Sequence, residues 1–208
     1  MRPAVDPMAV PAAAPPPGNL NIANVLTGVR VLLVPVVAWF MVRHGGDDAT
    51  TRLLATAAFL LAAVTDRIDG ELARRRNLIT DFGKIADPIA DKLLLGTVLI
   101  ILSVQDRVPW WITVVILGRE LGITLLRFWV IRYGVIAASP GGKLKTVLQI
   151  VSVGLYLLPL SSWVHGTAWS WVHGVELTVL LAAAAVTLLT GVDYVVRAVR
   201  LRRGVRAA

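Results

Sequence analysis

Four aspartates, Asp66, Asp69, Asp87 and Asp91, fall in one short stretch whose flanks are otherwise apolar. Asp66 and Asp69 stand three apart, Asp87 and Asp91 four apart, and both spacings put a carboxylate pair on one helix face. A basic connector, Arg74-Arg75-Arg76 through Lys84, joins the two runs, so they can form a hairpin whose acidic faces meet. Clustered carboxylates repel one another and are costly to desolvate unless a cation sits among them. Oxygen-only ligand sets suit hard cations, so Mg²⁺ or Mn²⁺ is expected before Zn²⁺. One such pair would read equally well as solvated caps or partners of nearby arginines. Two pairs, with Gly70, Ala73 and Gly83 clearing space beside them, point to a metal site, as ionisable groups at membrane depth usually serve function.

The elements that must hold these side chains are suited to a bilayer. The chain has 208 residues, 56% hydrophobic and 16% charged, which is too apolar for an ordinary soluble domain. Six apolar spans are expected, approximately 25–42, 53–65, 85–104, 109–133, 146–163 and 172–196. The second must run on towards Ala73 to reach the ~20 residues a bilayer helix needs. No window alternates with period two, which excludes a membrane β-barrel. The expected fold is therefore all-α, a polytopic membrane protein with six transmembrane helices. Residues 1–18 are Ala/Pro-rich and read as a disordered tail, retained because it lacks the apolar core of a signal peptide. The six-helix domain is expected over 19–200, led by a short surface helix at 19–23, and a basic tail over 201–208.

Charge sets the orientation. Arg2, Arg74–Arg76, Lys84, Arg132, Lys143, Lys145 and the Arg197–Arg206 cluster gather on one side, against Arg43, Arg52 and Arg107 on the other. The positive-inside rule puts both termini and the Asp-bearing connector in the cytoplasm, in a cell (inner) membrane protein. Trp39, Trp110, Trp111, Trp163, Trp169 and Trp171 fall at the opposite ends as an aromatic belt, with only Trp129 towards the inner side. The net charge of +8 lies in connectors between apolar runs rather than on a soluble face. Anionic headgroups or phosphate-bearing substrates are thus better partners than nucleic acid. With no cysteine there is no disulfide framework, thiolate metal site or redox motif.

The stretch from Asp66 to Asp91 fits D-x2-D-G-x2-A-R-x8-G-x3-D-x3-D at every fixed position. It resembles the signature of the CDP-alcohol phosphatidyltransferases, integral membrane enzymes of phospholipid synthesis, and the likeness extends from about Asn21 to Gln149. The resemblance implies a six-helix fold around a polar cavity open to the cytoplasm, usually as a homodimer. It implies two ions, Mg²⁺ or Mn²⁺, held by Asp66, Asp69, Asp87 and Asp91, and a CDP-diacylglycerol donor. Gly70 and Ala73 would let the nucleotide approach the helix, Arg74 would pair with a phosphate, and Thr80 and Gly83 would close the nucleotide pocket. Asp91 would be the general base, weakened by a neighbouring cation unless the acceptor hydroxyl is coordinated or its own pKa is raised. Asn24 and Thr27 would border the nucleotide, although Asn24 reads equally as a helix cap. Arg30, one turn further in, can pair with an aspartate of the cluster or with a backbone carbonyl.

The acceptor alcohol is read from the second half. Arg119 and Arg127 are two turns apart on one face, and Gly142-Lys143-Leu144-Lys145-Thr146 opens the next span with Gln149 a turn later. Two arginines near two lysines and helix-start N–H groups make a cationic pocket for a second phosphate. The R-E-x5-L-R and G-K-x-K-T-x2-Q patterns resemble family members whose acceptor is sn-glycerol 3-phosphate. Arg119 and Glu120 also read as a structural ion pair, and Lys143 and Lys145 as positive-inside anchors. Relatives taking phosphatidylglycerol or an inositol phosphate share the Asp cluster. A divalent-cation transporter is the alternative outside the family, disfavoured because no internal repeat is evident and the outer half lacks carboxylates to relay an ion. His44, His165 and His173 sit in outer connectors without a carboxylate at ligand spacing and read as surface histidines. Gly45-Gly46-Asp47-Asp48 reads as a turn, and the alanines of 182–185 as close helix packing.

Overall fold

The computed structural model describes the backbone of residues 22–75, 81–130 and 140–207, and the side chains of 25–66, 89–130 and 141–202. Among the described residues, six long helices follow one another: α1 Ile22–Val42, α2 Ala49–Arg75, α3 Asp81–Val104, α4 Trp110–Val130, α5 Pro140–Leu157 and α7 Thr167–Ala207. The single turn α6, Leu160–Trp163, lies between α5 and α7, and a 3₁₀ turn, Arg43–Gly46, joins α1 to α2. No strand occurs among the described residues. Each long helix answers to one expected span, and α2 does run on past Ala73. The expected surface helix at 19–23 falls mostly outside the described residues, where α1 begins at Ile22.

Three expected boundaries move, each for a local reason. α5 starts at Pro140, six residues before the expected 146, because proline suits the first helical position. Gly142 and Lys143 therefore occupy the first turn and Lys145 the second. α5 also stops before Pro159, instead of running on to 163. The carbonyls left open there are taken by Arg52, whose Nη2 donates to Tyr156 O at 2.8 Å and Leu158 O at 2.7 Å. α7 continues as helix through the Arg197–Arg206 cluster, where a tail was expected from 201. Arginine is a good helix former and is favoured near a helix C-terminus.

The helices pack as two groups, α1 with α2 and α3, and α7 with α4 and α5, joined through α2–α5 and α3–α4 contacts. Val37, Phe59, Leu99, Leu102, Ile112 and Leu180 form the buried seam. Ala183 and Ala184 are buried as close-packing residues of α7. Inside the seam, Ser103 and Thr113 satisfy each other at 2.7 Å. Leu32, Leu125, Phe128, Leu189 and Val192 instead point outwards, widely exposed. An apolar exterior of this kind belongs in lipid. By length and composition, Val25–Gly46, Ala49–Asp66 and Thr167–Arg202 are long and apolar enough to cross a membrane. The protein is a helical membrane protein.

One end of the bundle is tightly stapled. Arg107 Nη2 donates to Gly46 O at 3.1 Å and to Asp47 Oδ1 at 2.7 Å, and Gln105 Nε2 to Met41 O at 2.7 Å. Asp48 caps α2 by accepting the Thr51 N–H at 2.8 Å. That bond holds the Asp48 carboxyl below the usual carboxylate range. The expected turn at 45–48 is thus present, and Gly45 and Gly46 both take positive φ within it. His173 is exposed, as its surface reading expects, but it lies in α7 rather than a connector, and its Nδ1 is 3.4 Å from Oε2 of the nearly buried Glu176. Residues i and i+3 share a helix face, which brings the two together.

The two turn glycines give a graded test. A Cβ at Gly45 meets nothing, whereas one at Gly46 would lie 2.3 Å from Gln105 Nε2 and 2.7 Å from Met41 O. Gly45→Ala should cost about 1 kcal/mol for the left-handed backbone alone. Gly46→Ala should cost about 2–3 kcal/mol, because it also breaks the staple. Thermal unfolding in detergent measures both, and equal losses would show that the staple contributes nothing.

Candidate active site

Arg30 is fully buried where α1 meets α2 and α3. Its Nη1 lies 2.8 Å from Asp66 Oδ1 on α2 and 4.0 Å from Asp91 Oδ1 on α3. One guanidinium nitrogen therefore faces carboxylates from both arms of the hairpin, and the acidic faces converge there. A buried arginine is tolerated only when paired, and its burial fixes the depth at which the pairing occurs. Asp66 is one-third exposed and Asp91 about half exposed (34% and 52%). The cation is sealed in while the carboxylates keep an accessible side.

The remaining residues of the acidic stretch follow by register. Asp69, Gly70, Ala73 and Arg74 continue α2 beyond Asp66, while Gly83 and Asp87 precede Asp91 on α3. Asn24 lies in the first turn of α1. The side chains of these residues, and Thr80 altogether, lie outside the described residues. Thr27, one turn before Arg30, is buried. Two carboxylates against one guanidinium leave net negative charge on an oxygen-only donor set, which fits a hard divalent cation.

A second polar cluster lies between α4, α5 and α7. Glu120 Oε1 accepts from Lys145 Nζ at 2.5 Å, Arg119 Nη1 at 3.3 Å and Gln149 Nε2 at 3.5 Å. Gln149 Nε2 also donates to Thr187 Oγ1 at 3.0 Å, and Arg119 Nη2 to Thr190 Oγ1 at 3.1 Å. All of these side chains except those of α7 come from the patterns singled out in the sequence. Arg119 and Lys145 are brought together as expected of a cationic pocket, but with Glu120 bridging them. Arg127 does share the Arg119 face: its guanidinium carbon lies 6.0 Å from the Tyr194 ring of α7, close enough for cation–π attraction. Arg127 and Lys143 are exposed, whereas Lys145 is buried.

Lys92 connects the two clusters. It follows Asp91 on α3 and lies close enough to Lys145 to repel its charge. Sequence reasoning missed Lys92, Thr187, Thr190 and Gly191. Lys92 could have been found as a cation adjoining a carboxylate inside an apolar run. The Thr-x2-Thr-Gly of α7 is polar and small at helical spacing inside a Leu/Ala stretch, which was a readable signal too.

A helical membrane bundle with these paired carboxylates defines a class. The sequence profile of the CDP-alcohol phosphatidyltransferase family matches residues 20–196, and the chain belongs to that family. Among its relatives, a Mycobacterium tuberculosis protein called "Probable phosphatidylglycerophosphate synthase" is 50% identical over 186 residues, covering 89% of this chain and 85% of that one. A Bacillus subtilis "CDP-diacylglycerol--glycerol-3-phosphate 3-phosphatidyltransferase" is 40% identical over 148 residues, covering 66% of this chain and 77% of its own. The Rickettsia felis protein of that same description is 35% identical over 177 residues, covering 84% and 93%.

The Arg30 pairing makes a direct prediction. Arg30→Met removes the cation that both carboxylates face, and should destabilise the α1–α2–α3 group by about 1–3 kcal/mol, discounted for the exposure of Asp66 and Asp91. Thermal unfolding of the purified variant measures this, and an unchanged melting temperature would make the pairing energetically idle.

Proposed function

We propose that the protein transfers the phosphatidyl group of CDP-diacylglycerol to sn-glycerol 3-phosphate, giving phosphatidylglycerophosphate and CMP. The observation that carries this reading is the convergence of Asp66 and Asp91, from two helices, on one nitrogen of Arg30. That convergence sits within the acidic signature of the family, and the relatives named above bear the corresponding activity in their names. The long helices cross the membrane six times, with both termini and a polar cavity on the cytoplasmic side of the cell membrane. The positive-inside distribution and the apolar exterior support that topology, and the enzyme works as a homodimer among membrane lipids.

Asp66, Asp69, Asp87 and Asp91 would hold two Mg²⁺ or Mn²⁺ ions, whose chemistry would be to offset and polarise the charge of the donor diphosphate. Arg30 draws Asp66 and Asp91 towards one point before any ligand arrives, its Nη1 facing both carboxylates. Gly70 and Ala73 leave room for the nucleotide, with Asn24, Thr27, Thr80 and Gly83 around it, and Arg74 takes a phosphate oxygen pair. Arg119, Arg127, Lys143 and Lys145 draw in the acceptor phosphate. Glu120 stands in for that phosphate in the unliganded protein, holding Arg119 and Lys145 close so that they neither repel nor drift. Asp91 accepts the proton of the acceptor hydroxyl as its oxygen bonds to the lipid-proximal phosphorus. The phosphorus–oxygen bond of the diphosphate breaks, and CMP leaves with the electron pair. The attack is direct, without a covalent enzyme intermediate.

The reading is tested by CMP release in detergent, comparing glycerol 3-phosphate, phosphatidylglycerol and inositol phosphate as acceptors. Release with glycerol 3-phosphate alone is expected, and release with phosphatidylglycerol alone would reassign the acceptor. Removing divalent metal with EDTA should abolish turnover, and adding back Mg²⁺ or Mn²⁺ should restore it; turnover that survives EDTA would remove the metal from the scheme. Asp91→Asn should lower kcat by about 10²-fold or more, and near-native turnover would exclude it as the base. Arg127→Ala should raise the KM for glycerol 3-phosphate several-fold, whereas an unchanged KM would place the acceptor elsewhere.

A further inference from the structure

α7 contributes nothing to the acidic signature or to the acceptor patterns, yet it touches the acceptor cations at several points. Thr190 Oγ1 accepts from Arg119 Nη2 at 3.1 Å. The same hydroxyl donates back along its own helix, to Val186 O at 2.7 Å with Thr187 O at 3.1 Å. A threonine hydroxyl has one hydrogen and two lone pairs. With its hydrogen committed to the helix, a lone pair is left facing Arg119, and it holds the guanidinium in one orientation. Next to it, a Cβ at Gly191 would lie 3.1 Å from both Cγ and Nε of Arg119. Glycine at 191 therefore lets the arginine lie flat against α7, within reach of Thr190.

The guanidinium is thus held at both terminal nitrogens, Nη1 by Glu120 on α4 and Nη2 by Thr190 on α7. Thr187 acts in parallel on Gln149, which in turn reaches Glu120. We propose that Thr190 and Gly191 are positioning residues that set Arg119 for the phosphate of the acceptor, so that α7 tunes acceptor affinity without touching the substrate. This inference rests on the acceptor site proposed above. An arginine freed to rotate keeps its charge but loses the fixed fork that makes bidentate phosphate binding selective. The loss falls on the acceptor alone, because the donor diphosphate is held by the other group of helices.

The test compares Thr190→Val, which keeps shape and loses the hydroxyl, with Thr190→Ser, which keeps the hydroxyl. Steady-state kinetics of the full-length detergent-purified enzyme are measured against both substrates. Thr190→Val should raise the KM for glycerol 3-phosphate about five- to tenfold, the range set by one ordinary hydrogen bond acting through Arg119. The KM for CDP-diacylglycerol should stay unchanged, and Thr190→Ser should restore the wild-type acceptor KM. Gly191→Ala should mimic Thr190→Val. Parallel rises in both KM values, or a Thr190→Val enzyme with a wild-type acceptor KM, would overturn the proposal. Arg119→Ala, run alongside, separates the two levels: an unmoved acceptor KM there refutes the acceptor site itself. A raised one beside a silent Thr190→Val refutes only the positioning role.

Discussion

Everything in this bundle turns on the requirement that charge inside an apolar exterior be answered by charge on a neighbouring helix. Arg30 is fully buried and is held against Asp66. Lys145 is buried and is answered by Glu120. Burying either partner alone would cost several kcal/mol, so the helices that bear them are obliged to meet. Apolar packing in lipid supplies little direction, because lipid tails are as apolar as leucine. The polar clusters therefore specify which faces touch, and the same side chains supply the chemistry.

That double duty explains why the two clusters occupy separate helix groups. The carboxylates lie among α1, α2 and α3, the acceptor cations among α4, α5 and α7, and α3 with α5 brings Lys92 near Lys145 where the groups adjoin. Held apart on separate groups of helices, the two clusters keep charge of opposite sign in excess. Each cluster still holds one opposite charge: Arg30 lies among the carboxylates, and Glu120 lies among the cations. Glu120 prevents Arg119 and Lys145 from splaying, and it leaves a net positive charge for a ligand.

Much of this was legible in the residue order because helical spacing is rigid. Asp66 and Asp91 could be assigned to facing surfaces from intervals of three and four, and the six apolar runs each became a long helix. What was not legible depended on distance across space. Nothing in the order of residues says that Arg30 faces both acidic arms rather than a backbone carbonyl. Nothing local says that Thr190 meets Arg119, seventy-one positions away. Pro159 was visible, but the arginine that takes up the carbonyls it frees comes from another helix, as Arg52. His173 is a surface histidine as its sequence context indicates, and its carboxylate neighbour, Glu176, lies one turn along its own helix at a spacing the sequence already shows.

The contrast between the two ends of the bundle has a mechanical consequence. At one end, Arg107, Gln105 and Arg52 tie the α1–α2 turn, the α3–α4 turn and the close of α5 through backbone carbonyls. These are neutral acceptors that no substrate can compete for. At the other end the helices are linked through carboxylates and guanidinium groups, bonds that a phosphate or a metal ion can replace one for one. A bundle clamped through neutral carbonyls at one end and latched through charged side chains at the other has its most exchangeable contacts where the charged clusters lie.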